Sequence, residues 1–441
     1  MFQTLKNAWK IKDLQQKLLF TLLIVLLYRL GANVPVPYIS ADVLQSVGNQ
    51  FTGILEYMDF IAGGALSQAT LFALSVNPYI TASIVIQLLT IAIPALERLS
   101  KEGEEGRKKI SAITRYVTVG LALVTSYGYM RLLNSYGYFG EEVGVFQKIV
   151  IVACYCAGAS LVMWLAEKIN ERGIGNGISI ILFANIISRG PDLVMSLWNM
   201  IIGKGVDPTT GLTKELNYPL VVGILLGVLS VAITLAIVVL VVLVTNSERR
   251  IPIQYAKRVK GNKMYGGQNT NLPIKINMSG VMPIIFAGSI VSIPATFASF
   301  FPKVKFFTTI AENFSYDSWL YIVLYLILIV AFSYFYIMIS FNPVEVANNI
   351  KNNGGAIPGV RTGRPTVDFI TKILNRITLI GGIFLCFIAG FPMIINAVSG
   401  GQFAGLAFGG SSLLIVVGVA LETVRDLEAQ ITLRNYKGFL D

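Results

Sequence analysis

The sequence predicts an all-α integral membrane protein of ten transmembrane helices, and three observations carry that expectation. The chain of 441 residues is 54% hydrophobic and only 13% charged, where a soluble globular domain carries roughly a quarter charged residues. Apolar runs long enough to cross a bilayer core about 30 Å thick recur from end to end. Between those runs the basic residues crowd into alternate loops, as they do when one side of the membrane retains them.

The first apolar run, Leu18 to Val34, follows four lysines, Lys6, Lys10, Lys12 and Lys17, and no small-residue cleavage site follows it. A retained helix is expected, not a signal peptide. Thr52 to Leu66 comes next. This segment is weakly amphipathic, carries Glu56 and Asp59, contains Gly63-Gly64, and is too short and too polar to span. It reads as a surface helix or as a small re-entrant one, which is tolerable only where protein or water covers it. Spans near 71–93, 114–133, 149–166 and 174–188 complete a first half, 1–188. An external loop with span 6 (189–245), a basic loop 6/7 (246–280), spans 7 and 8 (281–341), loop 8/9 (342–372), spans 9 and 10 (373–424) and a tail (425–441) follow. Within these the second-half spans are placed near 219–245, 281–301, 318–341, 373–396 and 411–424.

Of the 35 Lys and Arg, 27 lie in the tails, loops and adjoining span ends of one side. That asymmetry predicts both termini in the cytoplasm. Loop 6/7 alone holds seven, and Glu248 to Lys263 shows strand-like alternation before Gly261-Asn262, so a basic hairpin is expected. Its charge suits anionic lipid, an acidic protein or ribosomal RNA, or topology alone.

The span centres are almost free of charge. Arg29, Arg115, Arg376 and Glu422 lie toward span ends, where they can reach water. An ion-coupled transporter needs ionisable groups at mid-membrane, which this pattern disfavours. The chain has no histidine, so most metal and acid-base chemistry is disfavoured too, and no metal, cofactor or catalytic pair is expected. Cys154, Cys156 and Cys386 sit in apolar runs and read as small core residues. Gly173-Ile174-Gly175-Asn176-Gly177 and Asn352-Asn353-Gly354-Gly355 lack the strand and lysine contexts of nucleotide loops. Pro78-Tyr79-Ile80-Thr81-Ala82 and Pro283-Ile284-Ile285-Phe286-Ala287 share Pro, Ile and Ala at equal offsets in spans of opposite direction, the pattern of inverted repeats.

The order of motifs then resembles the SecY family, the central channel subunit of the bacterial Sec translocation machinery. The carriers are Gly63-Gly64-Ala65-Leu66-Ser67, Pro78 to Ile84, Lys101-Glu102-Gly103-Glu104-Glu105-Gly106-Arg107-Lys108-Lys109-Ile110, and Glu171-Arg172-Gly173-Ile174-Gly175-Asn176-Gly177-Ile178-Ser179. Asn342-Pro343 and Pro358-Gly359-Val360-Arg361 extend the likeness over nearly the whole chain.

The resemblance implies two pseudo-symmetric inverted halves, spans 1–5 and 6–10, around a central pore with a lateral gate between spans 2, 3, 7 and 8. It implies an aliphatic pore ring at Ile80, Ile84, Ile178, Leu182, Ile285 and Ile415. It makes Thr52, Gly53, Ile54, Leu55, Glu56, Tyr57, Met58, Asp59, Phe60, Ile61, Ala62, Gly63 and Gly64 a plug, and assigns Gln87 and Asn277 to the gate. On the basic face, Arg249, Arg250, Lys257, Arg258 and above all Arg361 are expected to dock the ribosome, through its RNA and proteins, and the motor ATPase SecA. Small SecE-like and SecG-like membrane subunits, signal peptides, unfolded polypeptides and the lipid bilayer complete the implied partners. The expected function is a non-enzymatic conduit of the bacterial inner membrane that passes unfolded secretory chains and releases hydrophobic segments sideways. The alternative reading is an inverted-repeat secondary transporter of a small solute.

Overall fold

Helices form at each of the ten predicted positions in the computed structural model, which describes residues 2–39, 58–59, 61–135, 144–202, 204–206, 213–215, 220–255, 258–260, 263–265, 269–300, 318–398 and 404–437. The first half contains α1 Phe2–Lys10, α2 Lys12–Gly31, α3 Asn77–Ala92, α4 Pro94–Lys101, α5 Glu104–Ser135, α6 Val145–Arg172, α7 Gly177–Ser188 and α8 Gly190–Ile202. A short hairpin, β1 Lys204–Val206 with β2 Thr213–Glu215, leads to α9 Leu220–Asn246. Strands β3 Glu248–Tyr255, β4 Arg258–Lys260, β5 Lys263–Tyr265 and β6 Asn269–Lys275 follow. The chain ends with α10 Met282–Phe300, α11 Trp319–Ser340, α12 Pro343–Asn352, β7 Gly355–Ala356, α13 Arg364–Val398 and α14 Ala404–Lys437.

Among the described residues, six helices are long and apolar enough to cross a membrane: α2, α5, α6, α9, α11 and α13. The pair α3 and α4 would make a seventh but is bent by 101°. The bend falls at Ile93, which is extended because Pro94 follows it and opens α4. α7 and α10 are apolar but short.

Several boundaries differ from the sequence expectation for one reason: hydropathy sees where lipid ends, not where the helix ends. α5 begins at Glu104 instead of 114, α13 at Arg364 instead of 373, and α14 runs on to Lys437. In the other direction, 71–76 is as apolar as a span but folds as turns, and α3 starts only at Asn77. The stretch expected as a plain loop after 188 contains α8 and a hairpin.

The halves meet along two seams. On one, α10 packs against α3 and α5; on the other, α14 packs against α7. The internal match sits at equivalent places, since Ile80 is the fourth residue of α3 and Ile285 the fourth of α10, each two residues after a first-turn proline.

The Gly173–Gly177 motif serves the turn between α6 and α7. Gly175 has φ +78°, a conformation glycine adopts freely. A Cβ on Gly177 would lie 2.0 Å from the Ala166 carbonyl oxygen. Asn176 caps α7, accepting from the amides of Ile178 at 3.1 Å and Ser179 at 3.5 Å.

The basic loops do not stand apart. β3 pairs antiparallel with β6, Glu248 opposite Lys275 and Gln254 opposite Asn269, and also with β7 of loop 8/9. Ile251, Ile253 and Ile274 from this sheet share a core with Ala347 and Ile350 of α12, Ile357, and Ile370, Leu374 and Ile377 of α13. Asn342 caps α12 through the amide of Val344 at 3.1 Å, and Pro343 fits its first turn. Loops 6/7 and 8/9 thus form one folded unit.

Candidate functional site

Where α3, α7, α10 and α14 converge, they leave a cavity of only about 30 Å³, room for a water molecule or two. Its walls are Ile80 of α3, Leu182 and Ile186 of α7, Ile284 and Ile285 of α10 and Ile415 of α14. Met58 and Ile61 close it from the expected plug segment. Both halves contribute alkyl groups, and the lining contains no charged side chain. Asn77, Gly288, Ser289 and Ser292 complete the lining, and its alkyl part offers nothing to a hydrated ion.

Of the six expected ring residues, Ile80, Leu182, Ile285 and Ile415 line this cavity. Ile84, one turn along α3, is buried in the same apolar cluster, and Ile178 packs against it half-buried. Ile186 and Ile284 were not anticipated. Ile186 was within reach, because it stands four residues after Leu182 on the same helical face.

Residues 58–59 and 61–64 of the expected plug are described; Thr52, Gly53, Ile54, Leu55, Glu56, Tyr57 and Phe60 lie outside the described residues. A polar clasp holds the described part. Asp59, 5% exposed, pairs with the Arg189 guanidinium just beyond α7 and accepts the Ser67 amide at 2.7 Å. Asn185 of α7 donates to the Ile61 carbonyl at 2.9 Å and to Ser75 Oγ at 3.2 Å, and Ser75 Oγ meets the Tyr28 hydroxyl at 3.3 Å. Burial pushes the Asp59 carboxyl above its ordinary value, against the opposing pull of Arg189 and the Ser67 amide.

The chain between this clasp and α3 is bent tightly. Ala69 and Ser75 hold φ of +47° and +49°, each costing about 1–2 kcal/mol for a residue with a side chain. Neighbouring hydroxyls secure the turns: Tyr155 donates to the Ala69 carbonyl at 3.2 Å and Tyr129 to that of Leu66. None of Tyr28, Ser75, Asn185 or Arg189 was singled out from sequence. Two signals existed: Asn185 is an amide inside an apolar span, and Arg189 is one of few cations off the basic face.

Along the seam of α3, α5 and α10 lies a second, apolar cavity of about 260 Å³, also touched by Met58. Gln87 and Asn277, expected to join spans across this seam, do not meet. Gln87 donates to Ser83 Oγ at 3.2 Å within its own helix, and Asn277 accepts from Ser279 at 3.3 Å. The surface of α3 offers Gln87 a hydroxyl one turn away, which costs less to reach than another span, and Asn277, ahead of α10, meets a hydroxyl two residues on. Asn277 lines a different cavity of about 440 Å³, with Lys275, Glu422, Arg425 and Asp426. Arg115 likewise does more than reach for water: it pairs with Glu167 of α6 at 2.8 Å.

On the folded basic unit, Arg249, Arg250 and Arg361 are exposed. Arg250 pairs with Glu248 at 2.7 Å, and the Arg361 carbonyl accepts from Thr366 at 2.8 Å, fixing its turn. Arg258 is described as the first residue of β4, opposite Tyr265; Lys257 lies outside the described residues.

A family model, SecY, matches residues 70–424. The protein translocase subunit SecY of Streptomyces galbus is 42% identical, with all of both chains covered. Among solved structures, one described as the plug domain of SecY stabilising the closed channel aligns over 94% of this chain and 92% of its own, at 18% identity and TM-score 0.62. The canine Sec61 ribosome-channel complex of the endoplasmic reticulum aligns over the same shares at 17% identity and TM-score 0.61. These structural likenesses carry the fold, and the sequence relationship carries the lineage: the chain belongs to the SecY family.

Proposed function

We propose that the chain is the channel subunit of a protein translocase, conducting unfolded polypeptides between its halves and releasing hydrophobic segments through the α3, α5 and α10 seam. The observation that carries this reading is the constriction itself: four helices from both halves meet mainly in alkyl side chains, with no charged residue in the lining and with Met58 and Ile61 closing it. Alkyl groups seal an empty pore by excluding water, yet make no directional bonds that would hold a moving chain. In this reading Ile80, Ile84, Ile178, Leu182, Ile285 and Ile415 form the ring and 52–64 the plug. A secondary transporter would require ionisable groups where this constriction has none.

The side with the basic loops is taken as cytoplasmic, with both termini there and the membrane as the bacterial inner membrane. Arg249, Arg250, Lys257, Arg258 and Arg361 would then dock driving partners, the ribosome and the SecA motor. The shared core of loops 6/7 and 8/9 supports this assignment, because it presents Arg249, Arg250 and Arg361 on one folded body. SecE-like and SecG-like subunits would cover apolar helix faces. Photocrosslinking tests the conduit: a probe at Ile285 should capture a stalled translocating chain, whereas small-solute counterflow without such capture would favour the transporter.

A further inference from the structure

The seam of α14 with α7 does not end at the constriction. Toward the basic side α14 runs on past the expected span, and three elements of the first half grip its residues 426–431. The Gly175 amide, in the turn between α6 and α7, donates to the Asp426 carboxylate at 3.1 Å. Thr4 of α1 donates to Glu428 at 3.0 Å, and Lys17 of α2 to the Gln430 side chain at 3.0 Å. Between these bonds Ala8, Leu14, Ile174 and Leu427 form a small buried core, with Ile11, Leu18 and Ile431 packed on it. From the second half, Arg425 donates to the Thr245 carbonyl at 2.6 Å and to Asn246 at 2.7 Å, at the end of α9. The opposite seam is built differently. There Thr81, Thr125 and Ser289 donate within their own helices, and the apolar cavity of about 260 Å³ lies where α3, α5 and α10 meet. Apolar surfaces can part and close again, while bonds at fixed geometry hold.

We infer that this grip is the fixed end on which the second half swings, an inference that rests on the channel reading above. Asp426, Glu428 and Gln430 are then positioning residues for Ile415, the ring member of the same helix. Leu427 and Ile415 stand about 18 Å apart along α14. A tilt of about 10–15° at the grip therefore carries Ile415 about 3–5 Å, enough to break its contact with α7. α10 follows, because Gly418 lets α14 approach the start of that helix: a Cβ there would lie 2.5 Å from Val281. Ile285 and Ile415 thus move as one body, away from Ile80 and Leu182.

The test uses the full chain with its partner subunits in proteoliposomes, with Cys154, Cys156 and Cys386 replaced by alanine. Thr4→Cys and Glu428→Cys are joined by a short bifunctional thiol reagent, and translocation of a secretory substrate should continue at the unjoined rate. Joining Val85→Cys to Ile293→Cys across the opposite seam should stop it. Asp426→Ala removes the acceptor of the Gly175 amide, and resting ion efflux should rise about tenfold, whereas Asp426→Asn keeps an acceptor and should hold efflux at the wild-type level. Joining positions 4 and 428 in the Asp426→Ala chain should restore the seal, which a merely weakened fold would not show. Translocation halted by the joined grip, translocation that continues with the opposite seam joined, or an Asp426→Ala complex as tight as wild type each overturns the inference. Should the Thr4→Cys, Glu428→Cys chain fail to assemble, Lys17→Cys with Gln430→Cys gives the same comparison. If the wild-type complex translocates nothing, the channel reading itself falls.

Discussion

Replacing Arg189 with alanine isolates the ionic part of the clasp that holds residues 58–59 and 61–64 against the constriction. In the wild type the Asp59 side chain is 7% exposed and its guanidinium partner 26%. Removing one member of a buried pair costs about 3–5 kcal/mol. Arg189 is partly solvated, and the Ser67 amide still serves Asp59, so the lower end of that range is the ceiling, about 1–3 kcal/mol. Since 1.4 kcal/mol is a factor of ten, the population with this segment undocked should rise by about fivefold to somewhat over a hundredfold. The assay is ion efflux from liposomes carrying the resting complex. The sign with pH follows from burial. Asp59 already sits above its ordinary value, and losing Arg189 removes the main opposing pull, raising it further. A group with a raised folded-state value supports docking below its unfolded value, and that support is lost as pH rises through the folded value. The Arg189→Ala leak should therefore grow with rising pH on that face and shrink on acidification. A leak equal to wild type at every pH, or one that grows on acidification, would refute the clasp.

Substituting Ile80 and Ile285 together with glycine opens the constriction by two alkyl side chains, and the resting complex should leak ions; a tight seal in single-channel recordings would remove both from the ring. Arg361→Glu should slow motor-driven translocation about tenfold or more, because exposed arginines are frequent anchors of interfaces, while thermal stability stays at the wild-type value; unchanged translocation strikes Arg361 from the docking site. Gly177→Ala places a methyl 2.0 Å from the Ala166 carbonyl oxygen, so backbone must shift at about 3 kcal/mol. Thermal unfolding of the purified complex should show a clear fall in Tm, and an unaltered curve would mean that α6 and α7 pack less closely there.

The helices and their order were legible because bilayer thickness imposes one length on every span, and no comparable rule governs what lies between spans. Gly175 and Gly177 were visible as a motif, but only the packing shows that one serves a turn and the other a helix contact. The turns of 71–76 were read as helix, since Leu71 to Val76 is apolar enough for either; hydroxyls brought from other spans brace this stretch, Tyr28 at the Ser75 side chain and Tyr155 at the Ala69 carbonyl just before it. Pairing of β7 with β3 joins residues about a hundred positions apart, and no local periodicity encodes it. Isoleucines at Ile80, Ile84 and Ile285 look like any lipid-facing residue in a string of letters. Their distinction is convergence, which belongs to topology.

Closure of the resting state draws on two kinds of force, and the difference decides what each can do. The alkyl constriction is non-directional: Ile80, Leu182, Ile285 and Ile415 can part by small increments around a chain and close again with little preference for what passed. The clasp is directional, with Asp59, Ser67, Asn185 and Arg189 bonded at fixed geometry, so it holds or releases. Met58 joins them. It lines both the constriction and the seam cavity and is the immediate neighbour of Asp59. On the channel reading we propose, a hydrophobic segment filling the seam would displace the Met58 side chain and so press on Asp59, its neighbour in the clasp, whereas a polar chain confined to the pore would leave those directional bonds to a driving partner.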